Sequence, residues 1–307
     1  MIYLVPKTKY HSKWDNKLPP VIRVNPGDIV RIETNDTLGG QINPGSTGED
    51  MAKVDTSVIH PITGPIFING ANPGDTLVVE ILKIDTADWG YTAIVPGQGF
   101  LPEDFGKPAI TIWKISEDRS FIHSDSLPGV NVSLKPFCGI MGVAPKAAGV
   151  FPTLPPGYHG GNIDIKYLTE GSTLYLPIFN EGALFSVGDV HMAQGDGEVC
   201  ISAAETDATV TLRFGLRQGQ LFDEPYFETP THFSTTGFAT NLDEACKKAL
   251  RNLIRCFEVE KKMKKESAYI LASVAADLKV FEVVNAPNVL AGAMISKAIF
   301  LKDNSNL

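Results

Sequence analysis

The sequence predicts a mainly β body, a sandwich or barrel rather than a parallel α/β sheet, with a helical segment at its C-terminal end. Three observations carry this. Up to about Thr240, short runs that alternate apolar and polar residues recur between Pro- and Gly-rich turns. The turn Asn-Pro-Gly-Asp occurs at residues 25–28 and again at 72–75, and each copy leads at once into such a run. From Asn241 onwards apolar residues fall at helical spacing instead.

Taken in order, Pro19-Pro20 forces an extended chain, and the first Asn-Pro-Gly-Asp turn launches a strand over Ile29–Thr34. Residues 37 to 57, rich in Gly, Asn, Ser and Thr, read as a long functional loop. It delivers His60 into a rigid backbone, His60-Pro-Ile-Thr-Gly-Pro65. The second turn launches a strand from Thr76 to Ile84; the repeat reads as a duplicated structural unit or as the same turn chemistry used twice, and the second reading is favoured. Ala109–Ile115 reads as a further strand, Pro136–Pro145 as a tightly packed, glycine-broken wall, and Pro152–Gly161 as a proline-rich loop. Thr209–Phe214 alternates cleanly as a strand. Asn241 is the expected cap of a helix, with Glu244 as the capping-box partner and an apolar stripe running to Phe257. A second helix is predicted over about 267–282 and a third from Val289 to Phe300.

Composition narrows the function. At 307 residues, with 43% hydrophobic and 20% charged residues, the chain is of ordinary globular make-up and can bury a large core. A net charge of −8 argues against a nucleic-acid partner. No apolar run reaches the length of about 18 residues that a membrane helix needs. The N-terminus, Met-Ile-Tyr-Leu-Val-Pro-Lys, lacks the features of a secretory leader, so the expectation is a cytoplasmic protein. The four cysteines have no C-x-x-C spacing and read as free thiols. There is no Walker A loop, no dinucleotide-binding βαβ fingerprint and no Gly-x-Ser-x-Gly elbow.

The densest chemistry lies in Phe185-Ser-Val-Gly-Asp-Val-His-Met-Ala-Gln-Gly-Asp-Gly-Glu198. On an extended chain Asp189 and His191 point to one face, where a carboxylate and an imidazole form a metal-ligand pair or an acid/base pair. Asp196 and Glu198 add two more carboxylates between apolar runs, and buried charges of that density need compensation, which a divalent metal supplies. His60 is the second candidate, held in a proline-stiffened turn. Asp36 at a strand end, Asn162 with Asp164, and His11 with Asp15 are weaker. Cys138 and Cys200 are possible thiol nucleophiles without a nearby histidine.

Longer stretches carry a resemblance. His60-Pro-Ile-Thr-Gly-Pro-Ile-Phe-Ile-Asn-Gly-Ala-Asn-Pro-Gly-Asp75 and Gly182–Glu198 resemble the signatures of the acetamidase/formamidase family. So do His11-x-x-Trp-Asp15, Gly139–Pro145 and Gly160–Asp164. The matching pieces run in order from about residue 11 to residue 230. The resemblance implies a β-sandwich plus a barrel-like part and a small helical α+β C-terminal segment. On that pattern the chain divides into an N-terminal β-sandwich part at 1–90 and an inserted β/loop part at 91–160. The β body with the active-site stretch continues at 161–235, and the C-terminal segment occupies 236–307. It also implies hydrolysis of short aliphatic amides, formamide or acetamide, to the acid and ammonia, a bound divalent metal, zinc or calcium, and a homo-oligomer. His60, Asp189 and His191 are the implied metal residues, with Asp36 as a further ligand. Glu198 or Asp196 then moves the proton, Asp164 and Asn162 hold the substrate NH2, and Met141 and Phe185 limit the pocket. Two other readings remain open on the residues alone: hydrolysis of another C–N bond, in a cyclic amide or a guanidine, and a metal-dependent protein that binds a small ligand without cutting it.

Overall fold

In the computed structural model, which describes residues 1–300, two large sheets face each other across an apolar core. The nine-stranded sheet runs, in spatial order, Ile2–Val5, Ile29–Thr34, Ala208–Arg217, Thr76–Thr86, Thr173–Pro177, Tyr226–Glu228, His232–Ala239, Val289–Ser296 and Ala276–Glu282. The second sheet runs Asn131–Ser133, Phe121–His123, Ala109–Ile115, Trp89–Ile94, Glu205–Thr206, Phe185–His191, Phe137–Gly142 and Gly160–Asn162. Ile62–Ile68 also pairs with Phe185–His191 and collects Tyr10–His11 and Ile22–Val24. The mainly β expectation holds. Inward-facing Val30, Leu77, Val79, Leu212 and Phe214 from one sheet meet Ile66, Met141, Phe185 and Val187 from the other. Each large side chain so buried contributes about 1.5–3 kcal/mol.

Turn chemistry sets the strands. Gly27 and Gly74 both adopt φ of +91°, the left-handed position of the Asn-Pro-Gly-Asp turns. The two strands they launch flank Ala208–Arg217, one on each side and both antiparallel to it.

The helix from Asn241 is found as α1, Leu242–Glu260, and Asn241 Oδ1 accepts the Glu244 amide at 3.0 Å. Only half of the capping box forms, because the Glu244 carboxylate pairs with Lys247 instead, at 2.7 Å. The two helices predicted beyond it need correction. α2 covers Lys265–Ala275 and gives way to the strand Ala276–Glu282. Val289–Ser296 is also a strand, followed by a short 3-10 turn. Its residues are apolar on both faces because both faces are covered. Leu290 packs into the inter-sheet core, while Ala293 and Ile295 pack under the helices beside Leu253 and Phe257. A strand buried on both sides has the same unbroken apolar run as a buried helix, so periodicity cannot separate them. Pairing on both edges, with His232–Ala239 and Ala276–Glu282, makes Val289–Ser296 a strand, and glycine at 292 leaves room for the Phe281 ring, 2.2 Å from where a Cβ would stand. Among the described residues no helix is long and apolar enough to cross a membrane.

Candidate metal and acid/base site

The site is built at a seam. Along one edge Phe185–His191 keeps an unbroken antiparallel register with Phe137–Gly142, from Gly142↔Ser186 to Phe137↔His191. Along the other edge it changes partners: Phe185 and Val187 face Ile66 and Thr63, whereas Val190 and His191 face Thr206 and Glu205. Asp189 sits at that hand-over with φ of +55°. Simple alternation therefore does not put Asp189 beside His191; a left-handed residue inside the strand re-aims its side chain. His60, Asp164 and Glu198 also have positive φ, at 51°, 45° and 49°. Strain of this kind, about 1–3 kcal/mol per residue, persists where the surroundings hold it.

The side chains converge. His191 Nε2 lies 3.3 Å from Asp189 Oδ1 and 3.1 Å from Glu205 Oε2, but makes no well-aligned hydrogen bond to any described residue. Asp164, Asp189 and His191 form one group with ligand atoms within 4.8 Å of one another, and His191, Glu198 and Glu205 form a second. All are buried. Gly139, opposite Asp189 in the register, has its backbone pressed against them. A Cβ there would stand 2.6 Å from Asp164 Oδ1, 2.7 Å from His191 Cε1 and 2.8 Å from Asp189 Oδ2.

Surrounding groups orient the cluster. Gln194 Oε1 lies 2.9 Å from His191 Nδ1, and the Gln194 amide donates to the Asp164 carbonyl at 3.0 Å. The Thr37 hydroxyl donates to Asp189 and, at 2.6 Å, to Glu205. Phe137 meets the His191 ring edge to face at 5.0 Å.

The electrostatics are those of a site short of positive charge. Burial pushes the Glu198 carboxyl well above its usual range, and the charge of Asp164 pushes it further. Burial does the same to Asp164, with the Asp189 and Glu282 charges adding to it. Burial alone would raise Asp189 too, but the charge of His191 3.3 Å away, with help from Thr37, outweighs it and holds the Asp189 carboxyl below its usual range. Burial alone would lower His191, yet Glu205 and Asp189 keep its imidazole protonated well above the ordinary value. A divalent cation would relieve this crowding of acids. The residues fit one: an imidazole nitrogen without an aligned partner, carboxylates on two sides of it, and a cradle that only glycine at 139 leaves open. The buried cluster of Asp, His and Glu can therefore hold a metal ion.

The predicted residues divide by location. Asp189, His191, Asp164 and Glu198 come together. Asn162, at the end of Gly160–Asn162, is buried beside them with Oδ1 lacking a partner among the described residues. His60 is buried and close enough for its charge to act on Asp189, but its Nδ1 lies 3.3 Å from Thr153 Oγ1 and it joins neither group. Asp36 spends both oxygens locally, on the Leu38 and Gly40 amides and the Tyr91 hydroxyl, and shapes the turn that presents Thr37. Asp196 is at the surface, 3.3 Å from Lys166 and accepting from Tyr167. Met141 and Phe185 lie in the inter-sheet core, Phe185 packed edge to face on Phe214. Burial drives the Cys138 thiol up to about 12 and raises Cys200 as well, which disfavours either as a nucleophile.

Glu205 and Thr37 were not singled out by the sequence, and Gly139 entered only as the first residue of the Gly139–Pro145 stretch. The only signal for Glu205 is a lone acid at the end of Ala203-Ala204-Glu205, a position that reads as an ordinary strand terminus. A cavity of about 390 Å3 reaches the cluster at Gln194 and Glu198 and is walled by Trp113, Ile122, Val132 and Val199. A larger apolar cavity, about 780 Å3, lies among the prolines of residues 145–159 and contains none of the cluster's side chains. Chemistry, not size, identifies the site.

A family model described as the acetamidase/formamidase family matches residues 5–150 and 147–302. The formamidase of Methylophilus methylotrophus is 29% identical over 362 residues, spanning 94% of this chain and 89% of that protein. The crystal structure of an acetamidase from Bacillus halodurans superposes with a TM-score of 0.91 at 31% identity, covering 99% of this chain and 100% of that one. A gamma lactamase from Delftia acidovorans is more distant, with a TM-score of 0.69 at 27% identity, over 96% of this chain and 90% of that one.

Proposed function

The chain belongs to the acetamidase/formamidase family, and from that premise we propose that it is an amidase whose buried cluster, loaded with a divalent metal, hydrolyses the C–N bond of short aliphatic amides. Formamide and acetamide are its substrates in this reading. The observation that carries it is the convergence of Asp189, Glu205, Asp164 and Glu198 on His191, with Asp189 and Glu205 against Nε2, at the end of a cavity sized for a small molecule. His191, Asp189 and Glu205 hold the ion, since both carboxylates lie against the same ring nitrogen. The imidazole favours zinc over calcium, which takes oxygen ligands. Such an ion lowers the pKa of water and polarises an amide oxygen.

The chain's own groups do the rest. Gln194 holds the His191 ring by Nδ1, and Thr37 holds the two carboxylates. Glu198 faces the cavity and takes one proton from the attacking water. As the new C–O bond forms and the C–N bond breaks, it returns that proton to the nitrogen, which leaves as ammonia; the carboxylic acid left behind gives its own proton to the ammonia, so the released products are carboxylate and ammonium. The apolar walls at Trp113, Ile122 and Val132 keep bulk water from the reacting carbon. The reading also carries a cytoplasmic, homo-oligomeric enzyme with a small diffusible substrate and no nucleic-acid or membrane partner; light scattering on the purified protein tests the assembly.

Metal content by elemental analysis and ammonia release from formamide and acetamide, before and after chelation, test the proposal. Chelation should abolish turnover and zinc should restore it. Full activity in metal-free protein overturns the metal's role. The likeness to the lactamase supports a second reading, a cyclic amide as substrate. Ring opening leaves the nitrogen on the product, so chromatography of the amino acid without ammonia release distinguishes it.

A further inference from the structure

Three buried oxygens beside the cluster have no hydrogen-bond donor among the described residues: Asn162 Oδ1, Asp164 Oδ1 and Asn285 Oδ1. Leaving a buried acceptor unpaired costs about 1–3 kcal/mol, and these three belong to one connected set. Asn285 Nδ2 donates to Asp164 Oδ2 at 2.6 Å and lies 3.5 Å from the Asn162 carbonyl. Because its amide nitrogen is committed there, its Oδ1 is the atom left over. Asn285 comes from the loop between Ala276–Glu282 and Val289–Ser296, in the C-terminal module, more than 120 residues from Asp164 in sequence. The loop is fastened at its base. The fully buried Glu282 accepts the amides of Val284 at 3.1 Å and of Asn285 at 3.0 Å. Gly197, next to Glu198, bonds to the same segment through Phe281 and Val283. Asp164 Oδ1 meanwhile faces His191 and Asp189 across the space that the missing Cβ of Gly139 leaves. Asp164, which Asn285 holds, therefore joins the acceptor set to the reacting centre.

We infer that Asn285, with Asn162 and Asp164, forms the receiving site for the unsubstituted NH2 group of the substrate, so that the C-terminal module makes the enzyme selective for primary amides. This rests on the amide-hydrolase reading above. Acceptors without donors suit a group that brings two N–H bonds and no lone-pair demand. A methyl group on that nitrogen removes one donor and places carbon against an oxygen. A site built to bond a substrate N–H discriminates strongly against the analogue that lacks it. The same oxygens receive ammonia after cleavage, before it leaves.

The test compares formamide with N-methylformamide on the metal-loaded, full-length protein. Wild type should prefer formamide in kcat/KM by about 100-fold or more. Asn285→Leu should lose about 100-fold on formamide while N-methylformamide changes less than about threefold, so that selectivity collapses. An equal fall on both substrates marks a merely structural role and overturns the inference. A measurement on wild type alone guards against a variant that does not fold: ammonium should inhibit at least about tenfold more tightly than methylammonium, and equal inhibition also overturns the inference. Should wild type release no ammonia from any amide, the amidase reading fails. Thermal shift with ammonium against methylammonium then still reports on the acceptor set, and a lack of preference sinks it independently.

Discussion

The apolar core between the two sheets and the polar cluster beside it are equally buried and share one strand. Phe185 and Val187 point into the core; two to four residues later Asp189 and His191 enter the cluster. Burial does opposite things in the two places. In the core it stabilises, because every atom removed from water is apolar and finds a packing partner. In the cluster it destabilises, because acids are stripped of solvent, pressed together and left with unaligned nitrogens and unpaired oxygens. The cluster's backbone is strained as well, and the sheets on both sides hold it in place. The lesson is that rigidity comes from the first region and reactivity from the second.

That division can be broken experimentally. Phe214→Ala removes a fully buried ring packed on Phe185 and should cost about 3–5 kcal/mol in denaturant unfolding, with kcat per folded molecule unchanged. A matching fall in kcat would show that the core also tunes the site. Gly139→Ala should do the reverse. The added methyl collides with Asp164, His191 and Asp189, so ammonia release should drop about 100-fold with most of the fold's stability kept. An alanine variant that retains the full rate refutes the tight cradle.

The smallest effect sharpens the comparison by asking what a buried acid costs without any function. Glu224 is buried outside the cluster, 3.8 Å from Lys248 and accepting from Asn252 at 2.8 Å. Burial pushes its carboxyl up to about 7 from an ordinary 4.5. The folded protein thus keeps a proton that the unfolded chain has already released, and stability falls as pH rises from about 4.5 to about 7. The loss is on the order of 3 kcal/mol. Melting temperatures at pH 5 and pH 8 should differ less in Glu224→Gln than in wild type; identical slopes would assign the pH dependence elsewhere.

Much of this molecule was legible from its residues, for local reasons. Asn-Pro-Gly-Asp turns need a left-handed glycine and find one, and the strand Ile29–Thr34 follows from its own alternation. α1 follows from its cap and stripe. Asp189, His191 and Glu198 announced themselves as acids and an imidazole where an apolar chain should run, whereas Asp164 read as a weaker candidate in a loop. What local pattern could not separate was the strand Val289–Ser296 from a helix, since burial on two faces erases the period. Nor could it decide which polar residues belong together. Asp196 is two residues from Glu198 yet lies at the surface with Lys166, while Glu205 and Asn285 reach the cluster from distant strands and loops. The sequence by itself determined the Asn-Pro-Gly-Asp turns, the strands they launch, α1 and the chemical character of the site, because those depend on neighbours along the chain. Only the tertiary structure decided its membership, because the hand-over of strand partners at Asp189 and the docking of the C-terminal loop on Asp164 are contacts between segments that no spacing records.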